Sequence, residues 1–151
     1  MTTEEKDLLL KDLCARLPYG VKVRYSSYEK FITCTLHAIN PVYHNVDLWS
    51  KNGCFNPVDI SKIKPYLFPL SSMTEEQCEE LRNLIYGHFT LDDEFNEGIR
   101  FKTYGDILIW LDEKPINQCY FIFDWLNKNH FDYRGLIPMG SAIDATGLNI
   151  Y

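Results

Sequence analysis

"KFITCTLHAI", residues 30–39, decides the fold. Ile32, Cys34, Leu36 and Ala38 alternate with Thr33, Thr35 and His37, and a period of two puts the first set on one face of a strand and the second on the other. Alternation of this kind belongs to a half-buried strand, with one side on a core and the other in water, as antiparallel sheets commonly have.

The pattern extends in both directions. Upstream, "VKVRY" (21–25) reads as a short strand joined through "SSYE" (26–29) as a turn. Downstream, Asn40-Pro41 marks a second turn, "VYHNVDLW" (42–49) a third strand, and Asn52-Gly53 a type I′ hairpin leading into "CFNP" (54–57). "VDISKIKPYL" (58–67) adds a helical turn and a last edge strand, the setting in which Pro65 and Pro69 are tolerated. Short strands and tight turns predict a small curled antiparallel sheet, for which an SH3-like barrel is a natural form.

Helices flank it. Thr2 and Glu5 are spaced as a capping box, Leu9, Leu10, Leu13 and Leu17 recur at helical intervals, and Pro18 and Gly20 end the segment. In "SSMTEEQCEELRNLIYG" (71–87), Thr74 and Gln77 form a second capping box and Cys78, Leu81, Leu84 and Ile85 a stripe, predicting a helix over 75–86. Ile99, Phe101 and Thr103 alternate as a strand, with "ILIWL" (107–111) as its hairpin partner or as part of a short helix from Asp106. Pro115 opens a helix over 116–128. The fold class expected is therefore α+β: a small antiparallel sheet packed with N-terminal, central and C-terminal helices. It forms one domain, with residues 1–70 as helix plus β subdomain and 71–151 as a helical and hairpin subdomain.

With 151 residues and 46% hydrophobic side chains the chain can bury a core without disulfides or metal. Its net charge of -6 and the lack of any basic run argue against broad contact with phosphate backbones. Cys14, Cys34, Cys54, Cys78 and Cys119 include no CxxC pair and read as reduced, mostly buried small hydrophobes. His37, His44 and His88 have no second ligand at metal spacing, so no metal or cofactor is expected. Common nucleotide, hydrolase and metalloprotease motifs are absent, which lowers the expectation of an enzyme. No signal peptide or membrane span is read, and a cytoplasmic protein is expected.

Three groups of residues are candidates for function. In "HFDYRGLIPMG" (130–140), His130, Asp132 and Arg134 have the chemistry of an enzyme or small-ligand site. They equally suit a chain reversal, with His130 at a helix C-terminus and Asp132 capping the next turn. Phe121 and Trp125 lie one turn apart on the polar side of the last helix, where they are either covered by another segment or left to bind a partner. Glu75, Glu76, Glu79 and Glu80 line the helix face opposite its apolar stripe, a solvated face or, with Asp92, Asp93, Glu94 and Glu97, a negative surface for a basic partner.

"LLLKDLCARLPYGVKV" (8–23), "IKPYLFPLSSMTEEQ" (63–77) and "DWLNKNHFDYRGLIPMGSAID" (124–144) together resemble a group of short proteins encoded by gut anaerobes and by their phages and mobile elements. The resemblance implies an intracellular, phage-linked setting and brings with it no activity, cofactor or catalytic residue.

The function expected is a non-enzymatic protein-binding module that modulates a host or defence component, using Phe121 and Trp125 or the sheet face around Tyr43 and Trp49. One alternative is an enzyme or ligand-binding protein built on His130, Asp132 and Arg134. Another is sequence-tolerant binding of nucleic acid, the less expected partner, which requires Lys22, Arg24 and Lys51 to converge beside the aromatic sheet face.

Overall fold

The computed structural model describes residues 1–27, 30–88 and 119–151. Among them are three α-helices, α1 (Thr3–Arg16), α2 (Glu75–His88) and α3 (Tyr120–Lys128). The strands are β1 (Lys22–Ser27), β2 (Lys30–Asn40), β3 (Asn45–Ser50), β4 (Gly53–Asp59), β5 (Ile63–Pro69), β6 (Phe131–Asp132) and β7 (Ile143–Asp144). The fold is α+β. The strand and helix expected over 99–111, the start of the helix expected from Ile116 and the acids at 92–97 lie outside the described residues.

Both capping boxes form. The Thr2 hydroxyl accepts from the Glu5 N–H at 3.2 Å while the Glu5 carboxylate accepts from the Thr2 N–H at 2.7 Å, and Thr74 and Gln77 repeat the exchange at the head of α2.

The seven strands make one mixed sheet in the order β4-β3-β2-β1-β5-β6, with β7 also paired to β5. Pairs from β4 through to β5 are antiparallel, and only the two short C-terminal strands run parallel to β5. Among the described residues the path ends at β4 and β6, and the SH3-like form expected is not confirmed. Strand β5 is not the edge strand anticipated from its prolines. Its first half, Ile63 to Pro65, pairs with β1, and its second half, Tyr66 to Pro69, pairs with β7 and β6. Pro65 is compatible with this interior strand because only one of its sides meets a partner.

Inner-face residues Val23, Cys34, Leu36, Val46, Leu48 and Val58 pack with Leu9 and Leu13 of α1 and with Leu136. A second cluster joins Leu81 and Ile85 of α2 to Phe121, Ile122, Trp125 and Leu126 of α3 and to Phe131. Between the two clusters lies a fully buried charge pair. Arg16 donates from Nε and Nη2 to the Asp12 carboxylate at 2.7 and 3.0 Å, and Nη2 also reaches the Phe131 carbonyl at 2.7 Å.

The cysteines differ from expectation. All five are free thiols, but only Cys34 and Cys119 are buried, while Cys14 and Cys54 are exposed, because Cys54 falls on the outer side of the edge strand β4.

Candidate functional site

Register alone assembles the outer face of the sheet. Directly opposed residues share a face, so the pairs Cys54/Trp49, Trp49/Thr35 and Thr35/Lys22 form one row across β4, β3, β2 and β1. Two residues along β2, the next row is Thr33, Arg24 and Lys64, and beyond it Phe31 faces Ser26. The alternation that buries Cys34 and Leu36 therefore turns Phe31, Thr33 and Thr35 outward.

Trp49 and Phe31 are exposed aromatic side chains on this face. Trp49 is 55% exposed and stacks on His37 with centroids 4.3 Å apart and planes 21° apart. Phe31 is 69% exposed, and the Arg24 guanidinium carbon sits 4.6 Å from its ring centre. An open groove of about 750 Å³ runs beside Trp49, lined by Lys22, Thr33, Thr35, Lys51 and Asn149. Within it, Lys22 Nζ donates to Thr35 Oγ1 at 2.8 Å. Three of the cations read from the sequence, Lys22, Arg24 and Lys51, do share one face.

The C-terminal wall of the groove is fastened by Tyr151. Its hydroxyl donates to the Tyr66 carbonyl at 2.7 Å and accepts from the Lys22 N–H at 3.1 Å, bridging β5 and β1. Its ring stacks on His130, with centroids 4.0 Å apart. Burial pushes the phenol up to about 12.

His130, Asp132 and Arg134 do not meet. Asp132 is buried, and its two carboxylate oxygens accept from the Leu136 and Ile137 N–H groups at 2.9 and 2.7 Å, capping the next turn of the chain. The Arg134 guanidinium turns to Asp12, 3.3 Å away, and to the Tyr133 hydroxyl at 2.9 Å. His130, with a φ of 59°, lies under Tyr151, and its Nδ1 has no partner among the described residues. Burial, then the positive charges of Arg16 and Lys22, hold its pKa down at about 4.

No family model, curated protein or solved structure matches this chain.

Phe121 and Trp125, expected to be left for a partner or covered by another segment, are buried. They are 7% and 6% exposed, and Trp125 stacks on Phe131 of the returning segment at 5.8 Å with planes 14° apart. Phe131 of the chain reversal thus covers Trp125 on the side of α3 that reads as polar. Tyr43 is exposed but lies in the β2–β3 turn rather than on the sheet face, since β3 begins only at Asn45. Glu75, Glu76, Glu79 and Glu80 are all exposed on α2. Among the described residues no three His, Cys, Asp or Glu side chains gather as metal ligands, and no helix is long and apolar enough to cross a membrane.

Phe31 and Lys64 were missed as outer-face residues, although a signal for them was present. Strands β1, β2 and β5 carry Lys22, Arg24, Lys30 and Lys64 and no acid, in a chain of net charge -6. The segregation is visible only once these strands are counted together.

Proposed function

We propose that this chain is a non-enzymatic binding module whose interface is the outer face of the sheet around Trp49. The observation that supports the reading is Trp49 itself, a large ring left 55% exposed at the rim of an open groove. Tryptophan in such a place is unusual on a surface with no partner and common at the centre of an interface. An enzyme built on His130, Asp132 and Arg134 is the weaker reading, because both oxygens of Asp132 are occupied by backbone donors and His130 is capped by Tyr151. In the phage-linked setting that the resemblance implies, the module works in the cytoplasm and its partner is a component of the host cell or its defences.

Affinity capture from bacterial lysate tests this reading, comparing wild type with Trp49→Ala and with Lys11→Ala, an exposed change on α1. A specific captured macromolecule lost only in Trp49→Ala is the expected result. Identical captures by all three, or none, would reject the sheet face as the interface.

A further inference from the structure

We infer that the outer sheet face is a platform for single-stranded nucleic acid; the inference rests on the binding reading above and names its partner. The first support is the aromatic arrangement. Phe31 and Trp49 lie two rows apart on one face, four residues along β2, or about 13 Å at the rise of a strand. That span suits two splayed bases that are not neighbours in the strand. One face of each ring is covered, Trp49 by His37 and Phe31 by the Arg24 guanidinium, and the residues as a whole stay 55% and 69% exposed. Every base has a π-face, so stacking on rings of this kind is strong and tolerant of sequence.

The second support is charge. Lys22 and Lys51 flank the groove beside Trp49, Arg24 lies over Phe31, and Lys64 follows Arg24 in the same row. The strands that supply Lys22, Arg24 and Lys64 carry no acid. Lys22 uses one of its three ammonium protons on Thr35, leaving donors for a phosphate oxygen. Asp47, two residues from Trp49 on β3, is the acid nearest to this row on its strand, while Glu75, Glu76, Glu79 and Glu80 are exposed on α2. The acidic net charge weakens long-range attraction without removing the local cations.

The third support is the hydrogen-bonding floor. Thr33 and Thr35, with Asn52 and Asn149 at the margins, offer donors and acceptors that fit base edges. An acidic protein segment would use the lysines equally well, but it would leave the faces of Trp49 and Phe31 opposite His37 and Arg24 without planar partners. Duplex is disfavoured because its bases are already stacked on one another and present no free faces to Phe31 or Trp49.

The probe is a fluorescein-labelled oligothymidine of about a dozen nucleotides, followed by anisotropy on the full chain. Binding at low salt is expected, weakening as salt rises, with duplex of the same length bound more weakly. Trp49→Ala and, separately, Phe31→Ala should each weaken it about tenfold or more, the loss of one stacked base. Circular dichroism checks each fold, and Phe31→Ala keeps the test decisive if Trp49→Ala unfolds. Lys22→Gln combined with Lys51→Gln should reduce the slope of log affinity against log salt by about 1.4, or ~0.7 per lost phosphate contact. Absence of oligothymidine binding at low salt overturns the inference, as does equal affinity for duplex or a Trp49-dependent preference for polyglutamate. If oligothymidine fails while lysate capture still depends on Trp49, the inference falls and the binding reading stands; if both fail, both fall.

Discussion

His130 shows how a residue chosen for its chemistry can be fixed by its surroundings. Buried beneath the Tyr151 ring and close to two cations, it is held neutral down to a pKa of about 4. The unfolded chain takes up that proton near 6.5, so between pH 6.5 and 4 the unfolded state binds more protons and folding weakens as pH falls. The contribution is complete above pH 6.5 and lost below 4, on the order of 3 kcal/mol at about 1.4 kcal/mol per unit. His130→Asn removes the titration and keeps a side chain that tolerates the left-handed backbone at this position. Urea unfolding from pH 7 to 4 should show wild type losing stability more steeply than the variant; parallel profiles would show that His130 titrates normally. Asp132 makes the same point by geometry, since its carboxylate is occupied by two N–H groups four and five residues ahead.

At the level of elements, α3 and the sheet offer two tryptophans with opposite roles. Trp125 is packed against Phe131 within the second cluster, whereas Trp49 faces solvent. Trp125→Ala should therefore cost about 3–5 kcal/mol through the cavity it opens. Trp49→Ala should fall within about 1 kcal/mol of wild type, as surface changes usually do. Thermal or urea denaturation of the two variants checks the contrast, and a large loss for Trp49→Ala would make it a structural residue instead of an interface. The same pair shows what could be read from the sequence. Local signals were legible in part. A hairpin does join β3 to β4, but Ser50 pairs with Gly53, so Lys51 and Asn52 are its central residues and neither has the positive φ of the type I′ turn expected at Asn52-Gly53. The alternation in β2 and the two capping boxes were legible, since they depend on residues a few positions apart. The burial of Trp125 was not, because helical periodicity places it beside Asp124 and Lys128 and cannot show that the chain returns over that side. The two-residue strands β6 and β7 were illegible for a related reason, since they are defined by pairing with β5 more than 60 residues earlier and not by any pattern of their own. The site was half legible: Lys22, Arg24, Lys51 and Trp49 were named, but their convergence depends on register across three antiparallel pairs.

Across the whole molecule, Arg16 ties the N-terminal helix to the C-terminal segment. It is fully buried, pairs with Asp12 one helical turn before it, and donates to the carbonyl of Phe131, 115 residues away; Arg134 approaches Asp12 as well. Removing two charges from water is costly, and the pair is held by good geometry and by its added hydrogen bond rather than by the charges alone. Asp12→Ala would leave the Arg16 guanidinium buried beside Arg134 without a carboxylate, and should cost about 3–5 kcal/mol. Arg16→Met strands the Asp12 carboxylate less severely, because Arg134 remains next to it. In the double variant neither charge is stranded, so its loss should be smaller than the sum of the two single losses by about 1–3 kcal/mol. Urea unfolding of the four proteins, followed by both circular dichroism and tryptophan fluorescence, measures this coupling. The two signals should also coincide in wild type, because β5 pairs with strands from both halves of the chain and Arg16 spans them. Additive losses would show that Asp12 and Arg16 act independently, and separated transitions would show that the N-terminal helix and the returning C-terminal segment do not fold as one unit.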